Sequence, residues 1–125
     1  MKGQASLEYL MLSVVGLALV SFSLFSLSEI KSAMDKSLDV SRFRDSAITL
    51  QNLISEVCAA GSGNSREAYL PVPVSVETED SNQGLLVRYS YGNNSIVRET
   101  HCEVDAQKPE GKIIVENKDG RITLR

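Results

Sequence analysis

From Tyr9 to Ser28 the chain runs about 20 residues without a charged side chain, the length a helix needs to cross the hydrocarbon core of a bilayer. Few folds admit such a run. In lipid every backbone N–H and C=O must find a partner inside the segment, and a single α-helix meets that demand by itself. Glu8 stands at the leading edge of the run. A carboxylate is costly to hold in lipid, so an acid placed there points to a function rather than to packing. Ahead of it, Met1-Lys2-Gly3 forms a very short basic stretch that ends in glycine.

Composition narrows the classes further. The chain has 125 residues and a net charge of −3, with acids and bases interspersed. No basic patch marks a nucleic-acid partner. Once the apolar run and the helical stretch behind it are set aside, residues 61–125 remain for a head, which is small for a domain that must bury its own core.

Leu10-Met11-Leu12-Ser13-Val14-Val15-Gly16-Leu17-Ala18-Leu19-Val20 opens a span that continues through Phe22, Leu24, Phe25 and Leu27. A cleaved secretory signal has a shorter apolar region and an A-x-A-like site, and Ser26-Leu27-Ser28 is a poor match to one. Lys2 and the starting amine lie ahead of the span, which favours the N-terminus inside and the remainder outside. Ser13, Ser21, Ser23 and Ser26 either bond across a helix interface or bond back to their own helix.

Beyond Ser28 the sequence turns polar but keeps a helical period. Val40, Phe43, Ala47, Leu50, Ile54 and Val57 follow one another at spacings of three and four, an a/d-type stripe. No proline falls before Pro71 and no glycine between Gly16 and Gly61, and Gly61-Ser62-Gly63-Asn64 is a stop signal. One helix is therefore expected from about Gln4 to Ala60. Residues 4–28 would form its hydrophobic membrane-spanning part and residues 29–60 its amphipathic continuation.

After the glycines the period becomes two. Leu70, Val72, Val74 and Val76 alternate with Pro71, Pro73, Ser75 and Glu77, which suggests an edge strand. Leu85, Val87, Tyr89 and Tyr91 make a second alternation, Gly92-Asn93-Asn94 a turn, and Ile96 to Val104 a returning strand with Ile96, Cys102 and Val104 on one face. Lys112–Glu116 and Arg121–Leu124 flank Asn117-Lys118-Asp119-Gly120, a last hairpin. The fold class expected is α+β: a long N-terminal helix, then an antiparallel β head of four or five strands over residues 61–125.

Cys58 and Cys102 both lie beyond the apolar run, and in an exported head they are expected to form a disulfide. A metal is the rival for them. With His101 beside Cys102 the set falls short of a tetrahedral site, and alternation along the strand turns His101 to the other face, so neither metal nor cofactor is expected. Asn93-Asn94-Ser95 is an N-x-S sequon at a turn tip, a candidate N-glycosylation site at Asn93. Gly61 to Arg66 lacks phosphate-loop spacing and follows a helix rather than a strand. Tyr69, Tyr89 and Tyr91 read as sheet packing. No nucleophile, base and acid can be assembled around the single histidine, so an enzyme is not expected.

Gly3-Gln4-Ala5-Ser6-Leu7-Glu8-Tyr9 resembles the Q-x-S-x-E-Y pattern of archaeal type IV pilins with class III signal peptides. The resemblance is specific over about the first 30 residues and architectural beyond them. It implies cleavage by a prepilin peptidase between Gly3 and Gln4, which makes residues 1–3 a leader and Glu8 the fifth residue of the mature chain. It also implies that Glu8 serves assembly by pairing with the new amine of Gln4 on a neighbour. Two features differ from the bacterial pattern: the mature chain would start with Gln rather than Phe, and the span has no proline. The partners implied are copies of the chain or other pilins, the peptidase, and the membrane before assembly. The place implied is the cell membrane, then an extracellular filament with the heads outside. The rivals are a single-pass membrane-anchored binding module and a minor pilin of a secretion or uptake system.

Overall fold

A computed structural model describes residues 2–125; Met1, the start of the expected leader, and the Lys2 side chain lie outside the described residues. The fold is α+β. A single helix α1, Lys2–Ala60, precedes seven strands: β1 Ser65–Leu70, β2 Ser75–Ser81, β3 Gly84–Tyr91, β4 Asn94–Thr100, β5 Glu103–Val104, β6 Gly111–Lys118 and β7 Arg121–Leu124. The chain divides into two compact units, residues 1–38 and 39–125.

The first unit is helix throughout its described residues, because it holds no proline and only Gly3 and Gly16 lack a side chain among them. The second holds the core. Along α1 the stripe read from the sequence is buried at Phe43, Ala47, Leu50, Ile54 and Val57, while Val40 stays 46% exposed. Each large apolar side chain taken out of water in this way contributes about 1.5–3 kcal/mol. The helix ends where expected. Gly61 takes a φ of 86°, open to a residue without Cβ, and Asn64 Nδ2 donates to the carbonyls of Ala60 at 2.7 Å and Gly61 at 3.1 Å.

The strands form two sheets rather than the single one expected. One has the order β1-β6-β7-β5 and the other β2-β3-β4. All pairs are antiparallel except β5 with β7, which is parallel. Both sheets turn apolar residues into one core with the helix: Leu70, Ile113, Val115, Ile122 and Leu124 from the first, Val76, Val87 and Tyr89 from the second.

Three local expectations change. The alternation Leu70–Val76 is not a strand. Pro71 to Val74 form the bend by which the chain passes from the first sheet to the second, yet Leu70, Val72, Val74 and Val76 are all buried. Prolines offer no N–H to a ladder, so the segment buries side chains without pairing its backbone along a strand. Strands form on either side of that bend instead, Ser65–Leu70 paired with β6 and Ser75–Ser81 paired with β3. Finally, the returning strand of residues 96–104 is split. β4 ends at Thr100, the chain bends at His101 and Cys102, and Glu103–Val104 joins the other sheet. Ile96, Cys102 and Val104 nonetheless all pack on the core. The second alternation and the last hairpin form as read, the hairpin turning at Asp119 and Gly120 with φ of 54° and 88°.

Candidate functional site

The residues singled out by sequence fall in two places, and each unit is described separately. In the first unit, Gly3, Gln4 and Glu8 lie on exposed positions of α1. A Cβ added at Gly3 would meet nothing within 4 Å, so packing does not require glycine there. Glu8 makes no ion pair among the described residues. The run behind it is long and apolar enough to cross a membrane. Its large side chains stand open, Tyr9 at 77%, Leu12 at 70% and Phe22 at 71% exposure.

The serines of the run resolve in favour of their own helix. Ser13, Ser21 and Ser23 donate to the carbonyls of Tyr9, Leu17 and Leu19 at 2.9 Å, and Ser26 to that of Phe22 at 3.0 Å. With the hydroxyl protons satisfied four residues back, the outer surface of the run is nearly all hydrocarbon. That surface suits lipid or another helix and does not suit water.

In the second unit a disulfide joins Cys58 on α1 to Cys102 in the bend after β4, with Cα atoms 6.0 Å apart and a sequence separation of 44. The Thr100 hydroxyl fixes that bend: it accepts from the Cys102 N–H at 3.3 Å and donates to the Cys102 carbonyl at 3.2 Å. His101 lies exposed in that bend rather than on a strand. It lines a cavity of about 250 Å³ together with Ser55, Cys58, Ala59, Glu99 and Thr100, because the strand ends one residue before it. Among the described residues no three His, Cys, Asp or Glu side chains cluster as metal ligands would. Asn93 is exposed in the two-residue loop between β3 and β4, where Gly92 takes a φ of 57°.

Sequence reading missed Asn117. It is buried on β6; its Nδ2 donates to the Val57 carbonyl at 3.3 Å and its Oδ1 accepts from the Gly120 N–H at 2.9 Å. The side chain thus ties α1 to the β6–β7 turn. Its position two residues before Asp119-Gly120 was the available signal. Ser46 was missed as well: it is buried, and its hydroxyl has no partner among the described residues.

The outer faces of the sheets are laced with ion pairs. Arg88 grips Glu79 through two contacts of 2.8 and 3.1 Å, and its guanidinium holds the Glu79 carboxyl below the ordinary carboxylate range. Arg125 does the same to Glu116. Exposed pairs of this kind contribute little to stability, so they describe a solvated surface. No family model, no curated protein and no solved structure matches this chain.

Proposed function

We propose that this chain is a structural, non-enzymatic subunit of an archaeal type IV pilus-like surface filament. The observation that supports the reading best is the apolar run itself: a helix with its large side chains exposed and its serine hydroxyls folded back on its own carbonyls. Such a surface is stable in a bilayer and equally stable against copies of itself or closely related pilins, so the same helix serves as membrane anchor and as filament core.

Processing would precede assembly. A prepilin peptidase on the cytoplasmic side hydrolyses the Gly3–Gln4 amide, leaving a carboxylate on Gly3 and a new amine on Gln4. The freedom of space around Gly3 fits a glycine required by an enzyme rather than by the fold. In low dielectric the Glu8 carboxylate attracts the Gln4 amine of a neighbouring subunit, and the pair offsets the cost of burying both charges as the subunit leaves the bilayer. The β domain would stand outside the cell, held together by Cys58–Cys102 in an oxidising setting and glycosylated at Asn93.

The test is intact mass of the protein purified from its native host, together with the variant Glu8→Ala. Loss of Met1-Lys2-Gly3 is expected from the native chain. Glu8→Ala is expected to be cut and inserted like the parent but to be missing from sheared filaments. An uncut chain would overturn the reading and favour a membrane-anchored binding module in its place.

A further inference from the structure

Four strand edges bound the two sheets, and they are treated differently. β2 and β5 seal each other. The Thr78 hydroxyl accepts from the Val104 N–H at 3.2 Å and donates to its carbonyl at 2.8 Å, and Val76 exchanges bonds of 2.8 and 3.1 Å with Gln107. β1, six residues long, has its Arg66 and Glu67 engaged in ion pairs with Glu56 and Lys112. β4 is seven residues long, contains no proline, and pairs with β3 alone. An edge of that length left open is a template for another strand.

The register of β4 says which backbone groups are open. The two-residue loop Gly92–Asn93 closes on Tyr91 opposite Asn94. A loop of that kind closes on a hydrogen-bonded pair, and bonded and non-bonded pairs then alternate along the ladder. Asn94, Ile96, Arg98 and Thr100 therefore spend their N–H and C=O groups on β3. The N–H and C=O groups of Ser95, Val97 and Glu99 point away from it, and none has a backbone partner elsewhere among the described residues. Space lies alongside. The cavity by the disulfide and a second of about 480 Å³, lined by Gln51, Leu86, Val97, Arg98 and Glu99, share Glu99 and follow this edge.

We propose that β4 pairs with β4 of a second copy, antiparallel and about a two-fold axis through Val97. In that register every open group is used: Val97 bonds Val97 of the second copy, and Ser95 and Glu99 bond Glu99 and Ser95 across the axis. The two sheets become one of six strands. The side chains agree with it. Val97, 36% exposed, meets its own copy on the outer face. Ser95 lies opposite Glu99, and on the inner face Ile96 lies opposite Arg98, so no like charges oppose each other. The neighbouring registers fail. An axis at Glu99 sets two carboxylates face to face, and one at Ser95 runs Val97 against Asn93 in the turn. Axes at Ile96 or Arg98 use fewer of the open groups: the first sets Glu99 against Asn93 in the turn, and the second sets Ser95 against His101 beyond the strand and Arg98 against its own copy. The proposal concerns β4 alone: a two-fold contact closes on itself and does not extend a filament, so it stands apart from leader processing and from assembly through the N-terminal helix.

The test is directed cross-linking of the full chain in detergent micelles, with free thiols quenched before non-reducing electrophoresis. Across a bonded antiparallel pair the Cα atoms are about 5.5 Å apart, inside the disulfide range of about 4.4–6.8 Å. Val97→Cys should therefore give a covalent dimer as its main species on mild oxidation. Ser95→Cys alone should stay monomeric, because its copy lies four residues away along the ladder. A mixture of Ser95→Cys and Glu99→Cys chains should give the mixed dimer. Dimerisation of Ser95→Cys as ready as that of Val97→Cys would mean random collision or association through the N-terminal helix, and would overturn the proposal. So would all variants remaining monomeric, the outcome expected if the edge is filled by a strand of a different protein.

Discussion

Breaking the Cys58–Cys102 bond should remove a large share of the stability of residues 39–125. The bond closes a loop with a sequence separation of 44 that contains β1 to β4. In the chain-entropy model, closing a loop of that size in the unfolded chain stabilises the fold by about 4 kcal/mol. A unit of this size has a total stability of about 4–13 kcal/mol. Reduction should therefore leave the head between its unfolding midpoint and about 9 kcal/mol above it, and lower Tm by about 15–30 °C. The comparison to make is oxidised against reduced chain, because reduction keeps both sulfurs in place and isolates the cross-link from the packing of Cys58 and Cys102 on the core. The variant carrying Cys58→Ser and Cys102→Ser serves as the second measure.

The assay is urea unfolding in detergent micelles followed by tyrosine fluorescence, since the chain has no tryptophan and Tyr89 is 2% exposed. The helical signal of the apolar run would mask the head in far-ultraviolet dichroism, so it is not the readout. A loss below about 1 kcal/mol would refute the loop-entropy reasoning. It would mean that the unfolded chain already holds α1 near the bend after β4, so that the cross-link removes little freedom. A changed slope against urea would point to the same residual structure.

Two further outcomes are expected from the core. Ser46→Ala should raise the stability of the head by about 1 kcal/mol in the same urea assay, because a buried hydroxyl without a partner carries a desolvation cost that alanine does not; a loss would show that the hydroxyl is satisfied. Burial pushes the Tyr89 phenol from 10.0 up to about 12. The folded chain thus keeps a proton that the unfolded chain releases, and stability is full below pH 10 and falls as pH rises toward 12, by at most about 3 kcal/mol. Tyr89→Phe should flatten that alkaline fall, read as urea midpoints across the range, and an unchanged slope would exclude Tyr89 as its source.

Much of the architecture was legible because it rests on local rules. The helix follows from the absence of breakers between Gly16 and Gly61, and the buried stripe from its spacing. β3 and the β6–β7 hairpin follow from alternation bounded by turn residues. What was not legible depends on the second sheet. Leu70 to Val76 carries strand-like alternation because the chain there threads between two layers, and burial alternates with or without a ladder. β1 lacks an alternation strong enough to notice: only Ala68 and Leu70 turn in, and Ser65, Arg66 and Glu67 lie exposed at an edge. The break at His101 and Cys102 marks the passage from one sheet to the other, which no local signal records. For the same reason the open edge of β4 could not be read, since strand order is a property of the whole fold. Glu8 was picked out by its place at the edge of the apolar run and Gly3 and Gln4 through resemblance, and the fold supplies no contact that would have singled them out.

Two kinds of constrained residue coexist in this chain, and the contrast bears on function. Gly61 and Gly92 are accounted for by the molecule itself, because each sits at a positive φ that another residue would hold only with strain. Asn117 and the two cysteines are likewise accounted for by partners within residues 39–125. Gly3 has helical backbone and empty space about it, Glu8 has no ion pair among the described residues, and the large apolar side chains from Leu10 to Leu27 lie exposed. Folding does not require those residues, and a run so apolar is costly to leave in water. In the proposed reading, a peptidase that reads Gly3, a bilayer that accepts the run and neighbouring copies that take up Glu8 would account for these residues together, whereas an anchored binding module would account only for the run.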